Sequence, residues 1–178
     1  MRMTEENQTD TLPAESGPSP VAGEIGILAR RKIEAGIIAP IYREMCAQLG
    51  EQRAQAILDK AIREAAIGAA RSFAARTPGG TSLRSFQDLL SLWTQDDALT
   101  IDVLKQTDTE FDFDVRRCRY AETYREMGLG PIGHLLSCNR DAAFCQGYDA
   151  RLKLTRTQTL MQGASHCDFR YRLEEEAD

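Results

Sequence analysis

Two different periods divide this chain, and the order in which they come limits its fold more than any other feature. Between Glu24 and Leu49 the apolar residues Ile25, Leu28, Ala29, Ile33, Ile37, Ile41, Met45 and Leu49 recur at helical spacing. A second helical run spans about Glu51 to Ala75, with Ala54, Ile57, Leu58, Ala61, Ala65, Ala69 and Phe73 on one face. Pro40 lacks an amide proton and crowds the preceding turn, so it is expected to kink or divide the first helix, and Gly50 closes it. Thr77-Pro78-Gly79-Gly80 is a break, after which Ser82 caps a third helix reaching about Thr94.

From Leu99 the period becomes two. Leu99, Ile101 and Val103 alternate with polar neighbours, and so do Phe111, Phe113 and Val115, with Thr107-Asp108-Thr109-Glu110 as the turn between them. Arg119 to Met127 returns to helix, ended by Gly128, and Pro131 to about Phe144 reads as one or two short helices. The last alternating runs are Leu152 to Thr159 and His166 to Tyr171. Helices first and strands later indicate an α+β fold, with N-terminal helices packed on a C-terminal antiparallel sheet of about four strands. Two hairpins would make that sheet, with a helical insertion between them.

The second hairpin concentrates the chemistry. Pairing across Met161-Gln162-Gly163-Ala164-Ser165 puts Gln158 near Cys167 and Arg156 near Phe169. An arginine, an amide and a thiol then meet at one end of an apolar face, which reads as a pocket. Trp93 and the paired phenylalanines fall on apolar faces and read as core.

A chain of 178 residues suits one domain with its own core, expected over residues 23–173. Residues 1–22 hold three prolines and almost no large apolar side chain, so they read as a disordered tail and lack the apolar segment of a signal peptide. Residues 174–178 read as a solvated acidic tail. A net charge of −5 gives no reason to expect nucleic acid, and no apolar stretch approaches a membrane span. The five cysteines (Cys46, Cys118, Cys138, Cys145 and Cys167) are odd in number and scattered in spacing. That favours reduced thiols and a cytoplasmic setting. The Ala-rich helix faces would permit a homo-oligomer.

Several runs carry a family resemblance: Arg31-Lys32-Ile33-Glu34-Ala35 followed by Ala39-Pro40, Cys118-Arg119-Tyr120-Ala121-Glu122-Thr123-Tyr124-Arg125-Glu126, and Cys138-Asn139-Arg140-Asp141. With Leu154 to Thr159 and Gly163 to Tyr171, their order and spacing resemble the L-2-amino-thiazoline-4-carboxylic acid hydrolase family. The resemblance covers nearly everything after the tail and is densest from Cys118 onward. It implies hydrolytic opening of a 2-amino-thiazoline ring on a route to L-cysteine, with a small-molecule substrate carrying a carboxylate and no cofactor.

Cys167 leads as nucleophile, because the ring carbon attacked resembles an isothiourea, to which a thiolate can add. The thiol must first ionise, helped by positive charge from Arg156 or by a base. His166 and Asp168 are near in sequence, but alternation points them to the opposite face. Cys118 is a rival, since the amide protons at a helix start lower a thiol's pKa, and Glu122 lies one turn later as a base. Cys138 and Asp141 form a further cluster, Asp141 being another candidate to move protons. Arg156 suits a carboxylate through a bidentate pair, against a structural ion pair with Glu122 or Asp141. Gln158 would orient a ring nitrogen, and Glu34 pairs with Arg31 or reaches the pocket. Each thiol also has a plain reading as packed side chain. Two other readings stand beside hydrolysis by a thiol: a non-catalytic ligand-binding module, and a metal-dependent hydrolase collecting Cys118, His134, Cys138 and Cys145 around zinc.

Overall fold

The computed structural model describes residues 25–175, so the expected tail over 1–22 and the last three positions of the acidic tail lie outside the described residues. Helix α1 spans Ile27–Leu49, α2 Glu51–Ala74 and α3 Leu83–Thr94. Strands β1 (Leu99–Gln106) and β2 (Glu110–Cys118) form the first hairpin. Helix α4 (Arg119–Glu126), a 3-10 turn, a π turn over His134–Cys138 and α5 (Asn139–Tyr148) make the insertion. Strands β3 (Leu152–Thr155) and β4 (Cys167–Leu173) form the second hairpin. The sheet is antiparallel with strand order β1-β2-β4-β3, so the two hairpins join through their later strands. The α+β architecture read from the change of period is the one observed. No helix among the described residues is long and apolar enough to cross a membrane.

Local chemistry accounts for the element ends. Ser82 accepts the Ser85 amide while Ser85 reaches back to the Ser82 amide, a reciprocal cap at the start of α3. Pro40 neither ends nor divides α1, which runs unbroken across it. The proline is exposed, and one missing backbone bond on the solvent side is tolerated where tertiary packing holds the rest.

The phase of α1 differs from the expected one. Ile33, Ile37 and Ile41 face solvent at 56%, 61% and 54% exposure. Its inward side carries Ala35 and Ala39 with Leu28, Ile38, Tyr42 and Met45 packed beside them. Helix α2 is also turned, burying Ala54, Leu58, Ile62, Ala66 and Ala70, with Ile57, Ala61 and Ala65 outside. Small inward residues let these helices approach closely.

The tightest approach is α2 against α5. A Cβ added at Gly147 would lie 2.4 Å from the Ile67 carbonyl oxygen and 2.9 Å from the Ala70 Cβ. Backbone cannot swing aside as a flexible side chain can. Gly147→Ala is therefore expected to cost about 1–3 kcal/mol, the usual penalty of overpacking. A urea titration reads this as a lower midpoint at constant slope. An unchanged midpoint would mean that α2 and α5 part freely.

Candidate functional site

Register assembles the site. Strands β2 and β4 pair Phe111 with Tyr171, Phe113 with Phe169 and Val115 with Cys167. Opposite residues share a face in a pleated sheet, so these six side chains look toward the helices. Above them lie Phe73 of α2, Phe86 and Leu90 of α3, and Phe144 of α5, yet the layers do not close: a cavity of ≈ 200 Å³ remains. Its wall is largely aromatic. Phe113 stacks on Phe169 with centroids 4.8 Å apart, and Trp93 meets Phe144 edge-on at 5.2 Å. Phe111 and Phe113 are core as their spacing indicates, with Trp93 packed on it, and Phe113 and Trp93 also line the void.

One end of this cavity is polar. Cys118 at the end of β2, Cys138 before α5 and Cys167 at the start of β4 all open on it, together with Asp141 and Arg156. The Arg156 guanidinium, one residue beyond the last β3–β4 pair, lies 4.8 Å from the centre of the Phe169 ring. It bonds the Asp141 carboxylate and donates to the Cys138 carbonyl at 3.0 Å. Of the two partners foreseen for an ion pair, Asp141 is the one observed. Its carboxyl is raised above the usual range by burial, which the neighbouring Arg156 only partly offsets.

Burial also governs the thiols. It pushes Cys118 up to about 11, although the Ala121 and Tyr120 amides at the start of α4 pull the other way. The helix-start effect expected for Cys118 is present and loses to desolvation. Cys138 is pushed up to about 12 by burial and then by Asp141. Cys167 is also raised by burial, but its sulfur accepts the Leu160 amide at 3.1 Å and feels Arg156, both of which favour the thiolate.

Other sequence candidates lie elsewhere. The β3–β4 ladder stops at Thr155 because Asp168 captures the next amides: Thr157 N at 3.0 Å and Gln158 N at 2.9 Å donate to its carboxylate. That turn carries the Gln158 side chain away from the cavity to the His166 ring. Asp168 faces away from Cys167, as alternation requires. Burial alone would raise its pKa, but the bonds from Thr157 and Gln158 hold it below the usual range. Glu122 is 38% exposed and forms a two-pronged pair with Arg117 at 2.8 and 2.9 Å, outside the cavity wall. The zinc set is not assembled: among the described residues no three His, Cys, Asp or Glu side chains gather closely enough to hold an ion. Cys145 is buried away from the cavity, held up to about 12 by burial.

Glu34 sits beneath two arginines. Arg31 and Arg140 both reach its Oε2 atom, at 2.7 and 3.1 Å, and both line the cavity. The local pair of Arg31 with Glu34 was legible from their spacing, but Arg140 was not. A signal existed: Leu28, Arg31, Ala35 and Ile38 form a stripe at helical spacing, so Arg31 stands on a face that is otherwise apolar.

The family model described as L-2-amino-thiazoline-4-carboxylic acid hydrolase matches residues 30–171. No curated protein sequence matches the chain. Among solved structures, the phenol-responsive sensory domain of the transcription activator PoxR, in complex with phenol, shares the fold at TM-score 0.52 and 12% identity, over 83% of this chain and 76% of that one. A trafficking protein particle complex subunit 3 from Naegleria fowleri, covalently bound to palmitic acid, aligns at TM-score 0.45 and 15% identity, over 81% of this chain and 97% of that one.

Proposed function

The chain belongs to the L-2-amino-thiazoline-4-carboxylic acid hydrolase family, and from that premise we propose that it opens a small cyclic amidine-like ring, with Cys167 as the attacking atom. The observation that carries this reading is the meeting of Cys167, Asp141 and Arg156 at the polar end of an otherwise aromatic cavity. Cys167 is the cavity thiol that has both an amide donor on its sulfur and Arg156 favouring its charged form. Asp141, with a raised pKa, suits a base that takes a proton and returns it.

The thiol proton passes to Asp141 as the Cys167 sulfur bonds to the ring carbon held between two nitrogens and a sulfur. The ring carbon–sulfur bond breaks, and the departing sulfur takes the proton from Asp141, leaving an S-linked isothiourea on Cys167. Water then adds to the same carbon, giving its proton to Asp141. The bond to Cys167 breaks and the thiol is reprotonated, releasing a carbamoyl product with a free thiol. Arg156 holds Asp141 in place throughout, while Gln158, Glu122 and Asp168 take no part.

A second reading, a ligand-binding module without turnover, draws on the elevated pKa values of all three cavity thiols and on the engagement of Arg156 by Asp141. Its pocket would take a small flat molecule, as the phenol-bound relative in fold does. One assay separates the two. Incubation with L-2-amino-thiazoline-4-carboxylate should generate one new thiol per ring opened, read with a thiol-reactive chromophore, and a ureido product by mass. Saturable binding with no new thiol would establish the module instead.

A further inference from the structure

Resting on the reading that this cavity receives the substrate, we propose that Arg31 and Arg140, rather than Arg156, form the seat for its carboxylate. Charge around the polar end does not cancel. Arg156 and Asp141 form a closed pair. Arg31 and Arg140 share the single carboxylate of Glu34, and indeed the same oxygen. Within these two clusters three guanidiniums face two carboxylates, Arg30 and Arg76 add further positive charge to the cavity wall, and the neighbouring thiols stay neutral because burial holds their pKa values high.

The surplus within the two clusters is one positive charge, and it is not free to meet bulk water. The Arg31 and Arg140 side chains are only 16% and 13% exposed. Arg140 is held down to about 10, first by burial and then by repulsion from Arg31. A partly desolvated cation short of a partner is unfavourable, and an anion that enters the cavity relieves it. The donor geometry suits a carboxylate. Glu34 occupies Nη1 of Arg31 and Nη2 of Arg140, while Nε of Arg140 is tied to the Leu136 carbonyl. A guanidinium carries five N–H donors in a planar fork, so donors remain for a second carboxylate.

Beyond this end the wall is aromatic and aliphatic, with Phe113, Phe169 and Trp93 among its members. The ligand class that satisfies both ends is a compact, flat monocarboxylate. A neutral molecule would leave the surplus on Arg31 and Arg140 in place.

Trp93 supplies the readout, being the sole tryptophan of the chain and part of the cavity wall. Its fluorescence is titrated with benzoate and with benzamide, a neutral molecule of matching shape, on the full chain and on Arg140→Met and Arg31→Met. Benzoate should bind the unmodified protein more tightly than benzamide, and each variant should weaken benzoate by about tenfold or more, the scale of one lost charge-assisted bond. Benzamide affinity should hardly move, which shows that the variants keep their cavity. Arg140→Lys, which keeps the charge but loses the fork, should fall between. Equal affinities for benzoate and benzamide, or parallel losses of both in the variants, would overturn the carboxylate seat and leave the cavity reading standing. Failure of both probes to perturb Trp93 in the unmodified protein would overturn both.

Discussion

Cys167→Ala and Cys167→Ser are expected to lower ring opening by roughly a thousandfold or more, the scale on which removal of a nucleophile acts. The fold should survive either change. Cys167 is 5% exposed, opposite Val115 in the β2–β4 ladder, with its sulfur on the Leu160 amide. Serine keeps an acceptor for that amide, and alanine removes a single heavy atom beside an existing cavity. Each should cost no more than about 1–2 kcal/mol in stability, toward the low end of large-to-small changes. A cysteine that merely fills space would give the opposite pattern, a small loss of stability and turnover close to normal. The rival thiols provide the contrast. Cys118→Ser and Cys138→Ser should retain most turnover, because neither sulfur has the combination of an amide donor and Arg156 that Cys167 has. Turnover kept in Cys167→Ala and lost in Cys118→Ala would move the chemistry to the end of β2.

How much of this was legible in the sequence depends on which force dominates at each residue. Alternation and helical spacing report backbone period directly, so the helices, the two hairpins and the nearness of Arg156 to Phe169 are legible from it. The phase of α1 is not. Ile33, Ile37 and Ile41 outweigh the alanines in any hydrophobicity count, yet close packing against α2 selects the small side, Ala35 and Ala39. That phase conceals the place of Arg31 in the cavity wall, although its pairing with Glu34 is legible from spacing. Gln158 went astray for a different reason: extrapolating the ladder beyond Thr155 ignores a competing acceptor, and Asp168 takes the very amides that would have continued it. The Cys118 pKa is raised rather than lowered, which the sequence does not show because a helix start is visible in it whereas depth of burial is not. A pocket at the Arg156 and Cys167 end is legible from the polar groups on an apolar face, but its aromatic wall is not, since a phenylalanine lining a void and one filling it have the same spacing.

Asp141→Asn carries the second large effect. If Asp141 moves protons for Cys167, kcat should fall by about 10²–10⁴, the range for loss of a positioned general base. The pH profile separates this from simple damage. Burial raises the Asp141 pKa against the pull of Arg156, and a base acts only when deprotonated. Turnover in the unmodified protein should therefore climb with pH through an acid limb lying above the ordinary carboxylate value of about 3.9. In Asp141→Asn that limb should disappear, leaving a flat residual rate. The same shift has a sign for stability. A carboxyl whose folded pKa is raised contributes stability that is complete below its unfolded pKa and is lost as pH rises through the folded value. Removing the group should accordingly flatten that part of the stability curve. Asp141→Asn also leaves Arg156 without its anion, at a cost on the order of 3–5 kcal/mol for a half-pair stranded in a buried site. A purely structural Asp141 would show that loss of stability with the acid limb intact.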